Sequence, residues 1–328
     1  MIKKGLILGM VLAASSFVAT AQNASSDNEK PMPFFNKDGT IAIQTRQMNA
    51  LADTIATTYH RADDIVWSRI VYRVIDLRER QNNQLYFPIL PNEKYKNLFR
   101  IILDETVSGR VKGYGKKDNN IQPVYSAPLT LDKIAEGVYV DNEYDPTNNR
   151  IMRYPALKKD PITNGFEIDE QAIGKYTESQ RKFIIQEIVF FNRHYSRMYS
   201  KIIGIAPVLI TNELNVQKLQ GLAPGEKLET CCNNIWLFLI NSVNVWYLFD
   251  ELRPALAKQY IIPNGNETER LTYDEFFTQR LYSSYILGDG NMFDRMLLQQ
   301  YADAPSIRRE QKRIESDLLN FEIDLWEY

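Results

Sequence analysis

"KFIIQEIVFFNRHYSRMYSKIIGIAPVLI", Lys182 to Ile210, sets two runs of β-branched and aromatic residues on either side of Asn192-Arg193-His194-Tyr195. Such runs around a short polar break predict a β-hairpin. In the second arm Met198, Ile202 and Ala206 share one parity with Ser196 and Ser200, while Tyr199, Ile203 and Ile205 take the other. Apolar residues at both parities predict a strand covered on both faces. A second apolar run, "IWLFLINSVNVWYLF" from Ile235 to Phe249, is long enough for two strands around Asn241-Ser242. Two hairpins in sequence predict an antiparallel sheet.

Upstream, "DDIVWSRIVYRVIDLRER" from Asp63 to Arg80 reads as an amphipathic helix. Trp67, Ile70, Val74 and Leu77 fall at three- and four-residue spacings and form its candidate core stripe. Arg69, Arg73, Asp76 and Arg80 form a second stripe, with Asp63 and Asp64 suited to the N-terminal end. The Asp76 to Arg80 pair is worth only about 0.3–0.5 kcal/mol to a helix, so local stability does not account for the charged stripe. Arg69, Arg73 and Arg80 are therefore a candidate interaction face, against the plainer reading of an ordinary solvated face. "LYFPILPNE" (Leu85 to Glu93) reads as extended, and Tyr95 to Ile102 as helical. Towards the C-terminus "LTYDEFFTQRLYSSYIL" and "SIRREQKRIESDLLNFEIDLW" read as helices, the second with a stripe of Ile307, Ile314, Leu318, Phe321 and Leu325. The predicted class is α+β, an antiparallel sheet of hairpins packed with N- and C-terminal helices.

The opening residues carry the pattern of an address. Lys3 and Lys4 precede an apolar or small run from Gly5 to Val18, and Ala19-Thr20-Ala21 fits a signal-peptidase site. Residues 1–21 are thus expected to be a signal peptide, residues 22–53 a flexible polar arm, and residues 54–328 the folded α+β domain. No cysteine lies near the expected cleavage site, and no later run reaches the roughly 20 apolar residues of a spanning helix. The expected product is a soluble exported protein. With 44% hydrophobic residues the chain can build a core, and its net charge of -2 argues against a dedicated nucleic-acid binder. Its 19 tyrosines against 2 histidines favour packing and surface contact over metal or acid–base chemistry.

Candidate chemistry is sparse. Asp141, Glu143 and Asp145 have the alternate spacing of a calcium loop, but Pro146 replaces the glycine of its sharp turn and Met152 its bidentate glutamate. "GYGKKD" at Gly113 lacks the Lys-Ser/Thr end of a phosphate loop and reads as a hairpin or loop. His60 and His194 have neither a nucleophile elbow beside them nor a second imidazole one helical turn away. The vicinal Cys231-Cys232 are buried thiols, a strained redox loop, or bonds to another chain. Asp274-Glu275 suit a helix start. No catalytic constellation is legible, and neither a cofactor nor a metal is expected.

Four stretches carry a resemblance: "DDIVWSRIVYRVIDLRER", "GIAPV" (Gly204 to Val208), "LTYDEFF" (Leu271 to Phe277) and "NFEIDLWEY" (Asn320 to Tyr328). In this order, from about residue 54 to the C-terminus, the chain resembles the GldN/PorN family of type IX secretion and gliding motility. The resemblance implies a periplasmic, non-enzymatic structural subunit held at the outer membrane by a PorK/GldK-like lipoprotein. With that lipoprotein and other copies of itself it would form a ring, and it would contact a PorM/GldM-like inner-membrane motor protein. Asp53-Thr54-Ile55 also resembles the Asp-Thr-apolar O-glycosylation signal of bacteria that carry the family, making Thr54 a candidate modification site. The reading from another class is an exported carbohydrate- or peptidoglycan-binding module or hydrolase, using Tyr and Trp as stacking platforms.

Overall fold

Eleven strands and five helices of more than one turn are named here in chain order. The strands are β1 (Ile65–Asp76), β2 (Gly113–Lys116), β3 (Pro123–Pro128), β4 (Tyr139–Asp145), β5 (Arg150–Pro155), β6 (Leu157–Lys159), β7 (Phe166–Ile168), β8 (Lys182–Asn192), β9 (Arg197–Val208), β10 (Trp246–Leu248) and β11 (Tyr285–Asp289). The helices are α1 (Leu98–Val107), α2 (Leu131–Gly137), α3 (Phe249–Leu256), α4 (Tyr273–Thr278) and α5 (Ala304–Trp326). The structure is a computed structural model that describes residues 54–92, 95–118, 120–145, 150–160, 165–169, 182–208, 243, 245–263, 270–291, 295–301 and 303–326. Cys231 and Cys232 lie outside the described residues, as does most of the run from Ile235 to Phe249.

Seven strands form one sheet in the order β11-β1-β8-β9-β10-β2-β3, every neighbouring pair antiparallel. β4–β5 and β6–β7 are separate two-stranded ribbons. The β8–β9 hairpin turns where Asn192 accepts hydrogen bonds through Oδ1 from the His194 and Tyr195 amides, at 2.9 and 3.2 Å. The α+β class with its antiparallel sheet follows the sequence reading.

The stretch Asp63–Arg80 does not. It is the long strand β1, not a helix, flanked by β8 and β11. Six of its twelve residues are β-branched, and Trp67 and Tyr72 add aromatic rings, a composition that suits a pleated surface and restricts χ1 in a helix. Both faces are covered towards its C-terminal end, so no clean alternation marks it as a strand. The expected stripe is consequently split. Trp67 stacks on Phe321 of α5 with ring centroids 4.5 Å apart, whereas Ile70 and Val74, of opposite parity, belong to the other face. Leu77 lies beyond the strand and joins the main core.

That core packs Ile75, Phe183, Ile185, Ile205 and Tyr247 of the sheet against α1, α3 and α4. Burial of this kind stabilises by about 25 cal/mol per Å² of apolar surface removed from water. The opposite face gathers Tyr72, Val74, Ile184, Ala206 and Trp246, whose indole Nε1 donates to the Ile121 carbonyl at 2.7 Å. A bulge at Ile203 lets Gln186 pair with Gly204 and Glu187 with Ile202. It reverses the parity of β9, so Ile202 and Ile205 enter the same cluster. Gly204 is required at this crossing, because a Cβ there would overlap Tyr125 Oη and lie 3.3 Å from the Tyr247 carbonyl oxygen.

The segment Leu271–Leu287, read as one helix, is a short helix followed by a strand. Thr272 caps α4 in a reciprocal capping box with Glu275. The helix ends with Leu281 N–H on the Phe276 carbonyl and Arg280 N–H on the Phe277 carbonyl, with Arg280 at φ 56°. The chain then enters β11 at the sheet edge. α5 keeps the expected helical period and lays Ile307, Ile314 and Leu318 against Val71 and Ile286.

Candidate interaction surfaces

Four carboxylates are buried among the described residues, and each has an arginine partner: Asp76, Glu187, Asp274 and Asp289. Two of the arginines expected to face a partner molecule are among these internal ties. Arg69 pairs with Asp289 of β11, linking the outermost strand to its neighbour. Arg73 brings Nε to 3.3 Å from Glu187 Oε2, and the Glu187 side chain is 0% exposed. Arg73 and Glu187 lie on adjacent strands with side chains on one face, as strand alternation requires. Arg280 reaches the same Oε2 at 3.2 Å, aimed there by the left-handed turn that ends α4. Tyr282 Oη donates to Glu187 Oε1 at 2.8 Å. Burial, reinforced by the Glu187 charge, drives the Tyr282 phenol far above its ordinary value, so it stays a donor at any physiological pH.

Glu187 thus joins β1, β8 and the turn after α4 through one desolvated carboxylate. Arginine suits such sites because its charge is permanent and its donors are fanned in a plane. Arg80, by contrast, sits exposed in the one-turn helix after β1. The candidate face Arg69, Arg73 and Arg80 is therefore not one continuous exposed stripe.

A second tie fixes the start of the folded part. Arg253 Nε donates to Asp274 Oδ1 at 2.7 Å, and its Nη2 donates to the Ile55 carbonyl at 2.6 Å. The Ile55 amide donates back to Asp274 Oδ2 at 2.9 Å. Thr54, beside this bracket, is half-buried. A third tie gives a pH prediction. The Arg78 guanidinium, hydrogen-bonded to Asp76, holds that carboxyl below the usual range. A lowered native pKa contributes stability that is complete above the unfolded value, about 3.9, and fades as pH falls through the native one. Parent protein and Asp76→Asn should therefore differ by a constant margin above about pH 4, narrowing below it in denaturant titrations across pH. The margin should be modest, because Arg78 is largely exposed.

Of the other sequence candidates, Gly113–Lys116 is strand β2, paired with β3 and β10, which fits the hairpin-or-loop reading better than a phosphate loop. Asp141, Glu143 and Asp145 lie in β4, which pairs with β5 in a ribbon. His194 is in the β8–β9 turn, and His60 packs against Phe190 and Tyr199 with its Nδ1 2.9 Å from Asn192 Nδ2. No cluster of three metal-ligating side chains occurs among the described residues. No helix among them is long and apolar enough to cross a membrane.

Exposed apolar surface outside these candidates includes Phe87, Leu90 and Val124, and two further places. Near the β8–β9 turn Tyr59, Val66 and Tyr195 are exposed. Along α5, Leu319 and Ile323 face outward four residues apart, and Arg308, Arg309 and Lys312 are exposed two turns earlier. The run "RREQKR", residues 308–313, is the sequence signal for the second place.

The molecule so described is an α+β protein in which a broad antiparallel sheet carries a helical layer locked to it by arginine–carboxylate ties. The family model of the Gliding motility associated protein GldN matches residues 60–327, and the chain belongs to that family. Comparison with curated proteins finds no match.

Proposed function

We propose that this gliding motility associated protein is a non-enzymatic, periplasmic structural subunit of the type IX secretion and gliding machinery. In this reading it assembles with other copies and a PorK/GldK-like outer-membrane lipoprotein into a ring, and a PorM/GldM-like inner-membrane motor protein engages it. The observation that carries the proposal is the family match across residues 60–327, nearly the whole expected folded domain. The arginine ties are consistent with a mechanical role, since they cross-link strands and helices whose relative movement would waste applied force.

The test is fractionation of cells with and without the lipoprotein. The chain should co-sediment with outer membranes in one large complex when the lipoprotein is present and appear in the soluble periplasmic fraction when it is deleted. Retention on the outer membrane in high salt without the lipoprotein would defeat the indirect anchor. Binding to purified peptidoglycan in place of co-purification with the lipoprotein would favour the carbohydrate-binding alternative.

A further inference from the structure

β11 is the outermost strand of the seven-stranded sheet, and α5 packs Ile307, Ile314 and Leu318 on Ile286 of β11 and Val71 of its neighbour β1. Between them lies a groove of about 490 Å³ lined by Tyr285 and Ile286 from the strand and by Arg308, Arg309 and Lys312 from the helix, with Glu315 as its one lining carboxylate. The volume is within the roughly 300–1,000 Å³ range of small-molecule sites. The Ile286 carbonyl, on the edge away from β1, accepts a hydrogen bond from Gln311 Nε2 at 2.6 Å. A side-chain amide thus occupies the place that the backbone N–H of an eighth strand would take. A strand edge invites such pairing unless it is covered or repelled, so an incoming strand would displace the Gln311 side chain from the Ile286 carbonyl.

We infer that this groove receives an extended acidic segment of a partner polypeptide, added as a strand to β11. The backbone edge would supply affinity and the basic helix face would select the charge. All three cations are exposed; Arg308 and Lys312 have no hydrogen-bond or ion-pair partner among the described residues, and Arg309 lies near Asp303. Reversed charge therefore has a ready complement in the groove. A second copy of the chain is a poorer occupant. Its strand β4, which carries Asp141, Glu143 and Asp145, is already paired with β5 in a ribbon. This inference does not depend on the ring, and its test uses the purified chain alone.

The probe is a fluorescein-labelled peptide alternating Glu and Val, compared with a Lys–Val peptide and with a Glu–Val peptide N-methylated at alternate residues. Fluorescence anisotropy should show saturable binding of the Glu–Val peptide only. The double variant Arg308→Glu/Lys312→Glu should bind on the order of ten-fold more weakly or worse, the effect of losing about 1.4 kcal/mol. Arg308→Gln/Lys312→Gln, with an unchanged unfolding midpoint, guards against misfolding and should weaken binding in the same direction. Equal binding of the N-methylated peptide would overturn strand addition. Undiminished binding by both charge variants, or no binding by the parent chain, would overturn the groove as the site.

Discussion

Arg73→Glu should lower the thermal unfolding midpoint by roughly 6–20 °C, the equivalent of the 3–5 kcal/mol lost when one member of a buried ion pair is removed. The cause is local. The Glu187 side chain is fully buried between Arg73 and Arg280, and the substitution sets a second carboxylate against it while removing one of its two cationic partners. Arg80→Glu is the matched control, because Arg80 is exposed and surface changes usually stay within about 0.5 kcal/mol. Circular dichroism melts of the two variants decide the matter. Equal midpoints would mean that Arg73 is a solvated charge, as the helical reading of Asp63–Arg80 required.

Asp274→Ala should have an effect of similar size, about 3–5 kcal/mol, through a different set of orphaned groups. Its removal leaves the Arg253 guanidinium, 12% exposed, without its carboxylate and the Ile55 amide without an acceptor. These bonds bracket the chain at Ile55, where it enters the fold, so the loss should be felt first there. Limited proteolysis should cut near Ile55 before global unfolding, at denaturant concentrations that leave the parent chain intact. Asp274→Asn keeps the shape and one acceptor, and should fall between the two. If Asp274→Ala shows parent-like proteolysis and an unshifted melt, the bracket does not fix the chain at Ile55.

How far the fold could be read depended on whether each element shows one buried face. α5 was legible because Ile307, Ile314 and Leu318 face the sheet while Arg308, Arg309 and Lys312 face water. The β8–β9 hairpin was legible because polar turn residues separate two dense β-branched runs. β1 was misread because apolar residues at both parities erase the period-two signal, and Trp67, Ile70, Val74 and Leu77 then match a helical spacing by coincidence. Arg69 and Arg73 share a face under either reading, since a four-residue separation is cofacial in both periods. What local pattern could not supply was Glu187 or Asp289, partners far along the chain that convert an apparent surface stripe into internal ties. The helix-to-strand change inside Leu271–Leu287 was hidden by Arg280, whose left-handed turn is usually announced by glycine. The groove beside β11 was beyond reach for a related reason, since it joins that unrecognised strand to a helix later in the chain.

The position of β1 has a consequence for how the molecule comes into being. Its two lateral partners are residues 182–192 and 285–289, so a nascent chain exposes a long β-branched segment with both edges open until most of the polypeptide has emerged. Pairings so distant in sequence close slowly, and unpaired edges of this composition are prone to intermolecular association while they wait. Dependence on a holding chaperone, and inclusion bodies when synthesis outruns it, are the practical signature expected of a sheet whose first strand is completed last.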